Sequence, residues 1–489
     1  MRTLQLDDFY KYKFLSGLEY NKSGSLAAVI RAEPDVENNG YKKNLYLIDG
    51  DTVKPFITDG KVGGFIWEDD EHILFAANRS DAEKKRRENG DMFTAYYRIS
   101  VKGGEALPAF TLPFTALSIH KISDELFAAT GAVDVNYPDF YTYDADKRKE
   151  TAAKYKAEAD YEVIDENPWW FNGTGMINKK RCGLFVCNIK TGEVKMITPA
   201  NFRVGDYCEK DGVIYYAGEE YTEKMADVHF IYSYDTKTGR TKQLTEKPMS
   251  VSYMDCVDNM LVISGSYKET YGVSQSDCLY KLSFDGGEPE MFLYTEQGPG
   301  NSVGSDCRLG GNGRFATEGD KVYFVSTVVN AAHLICSDLS GKAETIIGVE
   351  GTVDGFDIKK GKIILVGMYD MKLQEVYTFD GKLHQVSHFN EDILKDTYVA
   401  KPNKMTIKSQ GYDIDGWVCG RKIMTGQRNT RRYLIFTAAL KPHTGRFSTT
   451  KCKPGQIWVT LCSSATRTAP TARAMNSATS VANTAQPII

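Results

Sequence analysis

The chain has 489 residues, 42% hydrophobic and 25% charged, an ordinary globular composition with length for two or three domains. Its net charge of −4 conceals two unlike parts: residues 1–418 carry 49 Lys+Arg against 64 Asp+Glu, whereas 419–489 carry 11 Lys+Arg and no acid, the last being Asp415. No apolar run is long enough to span a bilayer, and no basic stripe interleaved with aromatics points to nucleic acid. Ten cysteines without C-x-x-C pairs or histidine spacing predict buried reduced thiols, not a disulfide frame or a metal site, and no cofactor is expected.

The start, Met1-Arg2-Thr3-Leu4-Gln5-Leu6-Asp7-Asp8, has no apolar core of a signal peptide, so a cytoplasmic location is expected. From residue 14 to 390 one unit recurs seven times: a β-rich run, a Gly turn, a second β-rich run. Asn44-Leu45-Tyr46-Leu47-Ile48-Asp49-Gly50 and Glu375-Val376-Tyr377-Thr378-Phe379-Asp380-Gly381 are its first and last copies. Asp-Gly and Thr-Gly pairs supply the positive φ of tight hairpin turns. A second hairpin precedes most copies, as in Phe65-Ile66-Trp67 to Ile73-Leu74-Phe75 and Ile363-Ile364-Leu365-Val366. Two hairpins make four strands, and a four-stranded unit every ~40–50 residues is the signature of a β-propeller blade. The turn glycines Gly50, Gly103, Gly192, Gly239, Gly286, Gly341 and Gly381 are spaced by 53, 89, 47, 47, 55 and 40 residues. The expected fold is all-β, a seven-bladed β-propeller over residues 1–390, with β-sandwiches as the alternative.

The long step marks an insertion in the third blade, about 134–180. Asp144 to Tyr155 is a polar helix former. It leads into Asp165-Glu166-Asn167-Pro168-Trp169-Trp170-Phe171-Asn172-Gly173, where three aromatics follow one another on a loop. They either pack the insertion onto its own blade or face a partner domain or substrate entrance. Glu166, Trp169 and Trp170 are the candidate substrate or domain-interface residues.

After the repeats, Lys404-Met405-Thr406-Ile407-Lys408-Ser409 and Tyr412-Asp413-Ile414-Asp415-Gly416-Trp417-Val418 read as a hairpin. A seven-bladed propeller with this insert and this exit resembles the prolyl oligopeptidase family of serine peptidases, the acylaminoacyl-peptidase branch above all. The resemblance covers residues 1–418. It implies that 391–418 is a linker and the first hairpin of an α/β-hydrolase domain, and that the activity is hydrolysis of short, perhaps N-acylated, peptides.

Beyond Val418 an α/β-hydrolase continues with an H-G-G oxyanion loop and later a G-x-S-x-G elbow, an Asp and a His. None follows in order. If one base is missing near the Val418/Cys419 junction, each tail residue fixes the last two bases of an original codon. Arg431 to Gly445 then allows P-A-I-L-D-I-H-G-G-P-E-T-A-Y-G, a strand running into an oxyanion loop, and the same shift serves the whole tail. Residues 419–489 are therefore expected to be out of frame and disordered, the natural alternative being a Thr/Ala-rich disordered tail.

The family's triad of Ser, His and Asp would then lie past this chain, so no catalytic residue is assigned and the chain as written is expected to be inactive. Gly300-Asn301-Ser302-Val303-Gly304 matches an elbow formally, but its flanks read as an inter-blade loop. His443 falls in the out-of-frame part; His72, His120, His229, His333, His384 and His388 are dispersed along strands and turns. Three functions compete: a defective peptidase lacking its hydrolase domain, a non-catalytic propeller that binds peptides or proteins, and a two-part enzyme completed by a separate chain.

Overall fold

Runs of Val, Ile, Leu, Phe and Tyr between Gly, Asp and Thr turns form antiparallel four-stranded meanders in the computed structural model. The structure describes residues 2–296, 298–309, 315–409 and 412–418, and the strand segments 432–436, 443–444 and 457–461. The first meander is Phe14–Tyr20, Ala27–Asp35, Gly40–Asp49 and Thr52–Ile57; the second is Phe65–Trp67, His72–Ala76, Thr94–Ser100 and Leu107–Leu112. Ala116–Lys121, Leu126–Asp134, Lys180–Asn188 and Val194–Met196 make the third, and Phe202–Lys210, Val213–Glu220, Phe230–Asp235 and Thr241–Gln243 the fourth. The fifth is Ser250–Val257, Met260–Ser266, Cys278–Ser283 and Glu290–Leu293. An eight-stranded sheet holds two more, from Phe315–Glu318 to Ala343–Ile347 and from Gly351–Lys359 to Leu383–Gln385, joined by one parallel bridge between Ala332 and Thr352. All seven turn glycines named above have positive φ, from +54° at Gly50 to +105° at Gly381.

Burial falls from the second strand of a meander to the fourth. Lys362–Tyr369 is buried at every residue but its first, whereas Thr241–Gln243 is exposed throughout. Strands covered on both faces lose the alternation of half-buried ones and become continuous apolar runs. The fourth strands are short and polar, which protects an edge from pairing with other chains.

A finer repeat sits where first and second strands pair. The register slips at Leu117, Gly205, Ser252 and Asp354, each a β-bulge just after a residue paired with glycine: Ala116 with Gly131, Val204 with Gly218, Val251 with Gly265, Val353 with Gly367. A Cβ on Gly265 would stand 1.9 Å from the Ser250 carbonyl oxygen, and one on Gly367 2.5 Å from that of Thr352. The glycines permit a backbone approach that no other residue allows.

The described contacts divide the chain into two units, one of residues 1–60, 268–278 and from 293 on, the other of 61–267 and 279–292. In the first, the first and last meanders pack together: Leu15, Val29 and Ile48 share a core with Ile364, Val366 and Val376. Leu15 N–H donates to Gln374 Oε1 at 3.0 Å and Tyr20 N–H to Asp357 Oδ2 at 2.7 Å. Arg2–Thr3 pairs in parallel with Thr397–Tyr398, and Asn403–Ser409 forms an antiparallel hairpin with Tyr412–Val418. Most of 419–489 lies outside the described residues, and with it most of the expectation of a disordered tail. Three segments of it are strands instead: Arg432–Phe436 runs parallel to Ile457–Leu461, and His443–Thr444 to Val303–Gly304. Tyr-Leu-Ile-Phe and Ile-Trp-Val-Thr-Leu are strand formers that the tail's average composition conceals.

In the second unit, Phe114 stacks on Phe185 at 4.1 Å between the second and third meanders, and Leu184, Phe202 and Tyr216 fill the space between third and fourth.

Candidate functional site

The insertion leaves the third meander between Asp134 and Lys180, which face each other in the ladder and form an ion pair at 2.5 Å. Asp144 caps the helix α1, Ala145–Ala157, by accepting from the Lys147 amide. Buried Arg148 in that helix donates to Asp91 Oδ1 at 2.9 Å and to the carbonyls of Met92, Pro113 and Phe140. Asp91 follows a helix that interrupts the second meander at the equivalent place, Asp81–Glu88, which starts with a Ser80–Glu83 capping box. Insertions of neighbouring meanders thus meet over one carboxylate.

The three candidate residues divide. Glu166 is buried, its carboxylate bidentate on Arg181 at 2.7 and 3.1 Å and accepting also from the Lys179 amide. Arg181 donates further to the carbonyls of Asn201 and Tyr221 and lies over the Tyr221 ring. Burial opposes the Glu166 charge, yet the Arg181 fork and the Lys179 amide outweigh it and hold the carboxyl below its ordinary value. Glu166 therefore anchors the insertion inward. Trp169 and Trp170 are 43% and 50% exposed, on the two-stranded ladder of Trp170–Phe171 with Gly175–Met176. Asn167 ties this loop to the next meander through Glu223 and Met225.

A cavity of about 530 Å³ opens in the same unit along Phe65–Trp67 and Ala116–Lys121. Its walls include Gly63, Gly64, Ala76, Ala77, Ala95 and Ala116, whose small side chains leave room between bulkier neighbours such as Phe65, Tyr96 and Leu117. Two cations, Lys61 and Arg87, line it. Arg86 and Arg148 both take Asp91, so Arg87 is left with the Phe93 carbonyl and ring, and its buried Nε has no hydrogen-bond partner among the described residues. Mixed walls around an arginine that forms no ion pair among the described residues suit a small anion with an apolar body. No motif marks Arg87 in the sequence; its place in the cavity wall comes from the fold alone.

Ser302 lies on a loop pinned by Asn301 to Asp354 and by its own amide to Thr327. Among the described residues no helix follows it, and no hydrogen bond joins it to a histidine. His72, His384 and His388 pair with nearby Asp69, Asp380 and Glu391. Among the described residues no group of three or more His, Cys, Asp or Glu could hold a metal ion, and no helix is long and apolar enough to cross a membrane.

The sequence matches no family model and no curated protein. Solved structures do match. The acylaminoacyl peptidase of Pyrococcus horikoshii superposes with a TM-score of 0.72 at 17% identity, over 94% of this chain and 66% of its own. An acylaminoacyl peptidase in complex with Z-Gly-Gly-Phe-chloromethyl ketone gives 0.71 at 18%, with the same coverage. The fold is that of the acylaminoacyl peptidases. The β-propeller domain of the Trilobed protease from Pyrococcus furiosus, of open velcro topology, gives 0.51 at 14% over 78% of this chain and 99% of its own. The resemblance drawn from the repeats and the exit hairpin thus holds at the level of fold. The chain spans 66% of the length of the acylaminoacyl peptidases it matches.

Proposed function

We propose that residues 1–390 close into a seven-bladed propeller that admits short peptides to a serine-peptidase domain, and that the catalytic triad lies outside residues 1–418. Residues 391–418 are the linker and first hairpin of that hydrolase domain, and 419–489 are its continuation read out of frame. The observation that carries this is the tail: one shift, applied throughout, allows a strand and H-G-G-P where a hydrolase needs its oxyanion loop. The packing of first against last meander supports ring closure. Trp169 and Trp170 face the hydrolase domain or the substrate entrance, and Arg87 receives the carboxylate of a short peptide in the cavity.

The full chain should hydrolyse N-acetyl-dipeptide p-nitroanilides no faster than buffer. It should bind an N-acetyl-dipeptide acid at least ~10-fold more tightly than the matching amide in calorimetry, a difference that Arg87→Gln removes. Measurable hydrolysis would place a nucleophile in this chain and overturn the assignment of the triad. Equal binding of acid and amide would remove Arg87 from the site. Sequencing the codons for Trp417 to Cys419 and onward should restore one base and an open frame reaching G-x-S-x-G. If the sequence stands, a propeller that binds peptides without chemistry is the second reading, supported by the cavity alone.

A further inference from the structure

The first strands of the fourth and fifth meanders, Phe202–Lys210 and Ser250–Val257, lie side by side in the second unit. Two hydrogen bonds lock them: Met254 N–H donates to Asp206 Oδ2 at 2.7 Å, and Lys210 Nζ donates to the Asp258 carbonyl. Between these ties the Sγ atoms of Cys208 and Cys256 are 3.4 Å apart. Seven cysteines are described, none in a disulfide, and these two form a sulfur–sulfur contact. Both thiols are held by strands already packed, so bond formation, to about 2.0 Å, brings no distant segments together.

We propose that Cys208 and Cys256 are a modification site, a thiol pair that a peroxide converts to a reversible disulfide clamping the fourth meander to the fifth.

The surroundings decide the order of events. Cys208 is 8% exposed, and burial, its partner thiol and the carboxylates of Asp255 and Asp206 all disfavour its thiolate. Asp206 is itself pushed up to about 6 by burial. Cys256 is less buried, and as the thiolate it attacks the peroxide: its sulfur gains oxygen as sulfenic acid and hydroxide leaves. The Cys208 thiol then displaces that oxygen as water, closing the S–S bond. Two thiols lose two electrons in all, and one peroxide becomes two waters. The product carries no charge, so the nearby acids that oppose thiolate formation do not oppose the disulfide. Reduction by a dithiol reverses it.

The test treats the full native chain with equimolar hydrogen peroxide, alkylates remaining thiols in denaturant and maps the peptides by mass spectrometry. The expected result is a cross-linked peptide pair containing Cys208 and Cys256, 2 Da lighter than the two thiols and restored by dithiothreitol. Cys208→Ser and Cys256→Ser should each abolish it, and the oxidised wild-type chain should melt about 5 °C higher than the reduced one. Full alkylation of both residues after oxidation would overturn the proposal. So would a cross-link formed equally well by chain unfolded in urea, which would owe nothing to the 3.4 Å contact.

Discussion

In the meanders of the second unit the buried side chains include unbroken apolar runs: Leu261, Val262 and Ile263 follow one another fully covered, and Ile214 to Ala217 are all buried. In the insertion, from 135 to 179, the buried apolar side chains are Phe140 and Ala152, and beside them Arg148, Thr151, Glu166 and Asn178 are buried and polar. A segment this poor in apolar residues cannot anchor itself by area. It is fixed by two guanidiniums, Arg148 and Arg181, each taking a carboxylate and at least two carbonyls. The meanders depend on volume and close backbone approach, the insertion on charge, and the two should fail under different perturbations.

Removing a carboxylate should have the largest effect. Glu166→Ala leaves the Arg181 guanidinium fully buried with carbonyls and no hydrogen-bonded carboxylate, a loss of about 3–5 kcal/mol by breaking a buried pair from one side. Urea unfolding should show it. Glu166→Gln with Arg181→Met should recover much of the loss, because neither charge then remains. If the single substitution cost no more than an exposed one, the charge anchor would not exist.

The meander counterpart is Gly265→Ala. Its Cβ would meet the Ser250 carbonyl at 1.9 Å, where no side chain can move aside, so the strands must part. The expected loss is about 1–3 kcal/mol. Salt and pH should leave it unchanged, unlike the loss at Glu166. A neutral Gly265→Ala would mean that the bulge adjusts freely, and the recurrence of glycine at Gly131, Gly218, Gly265 and Gly367 would need another cause.

These two sites also mark what was legible beforehand. Four-stranded repeats and turn glycines can be found from sequence because both are local: a turn needs positive φ within a few residues of its strands. The bulge glycines were equally available, as Thr130-Gly131, Ala217-Gly218, Ser264-Gly265 and Val366-Gly367, but their reason is a carbonyl or ring on the neighbouring strand, invisible in one dimension. Glu166 was grouped with Trp169 and Trp170 because they share a loop. The partner that pulls Glu166 inward, Arg181, is the second residue of the strand Lys180–Asn188 and looks like any strand-edge cation. Arg87 and the Cys208–Cys256 pair depend on long-range neighbours, so no pattern of spacing contained them.

The smallest effect separates two glutamates near the insertion by pH. Glu219 accepts from the Ala226 amide at 2.8 Å, its Oε1 is 3.7 Å from Arg203 without a hydrogen bond, and burial pushes its carboxyl up to about 7. Glu166 is displaced the other way. A carboxyl raised from about 4.5 to about 7 favours the folded state only while protonated, so its penalty grows as pH climbs from about 4.5 to 7 and is complete above. A lowered carboxyl contributes above its unfolded value and loses that contribution as pH falls through its folded value. Glu219→Gln should therefore gain about 1–2 kcal/mol over wild type at pH 8 and nothing at pH 4.5, whereas the loss from Glu166→Ala should be full at pH 8 and shrink on acidification. Urea midpoints at pH 4.5, 6 and 8 would check both, and parallel slopes for the two variants would mean that the Arg181 fork does not distinguish the two carboxylates.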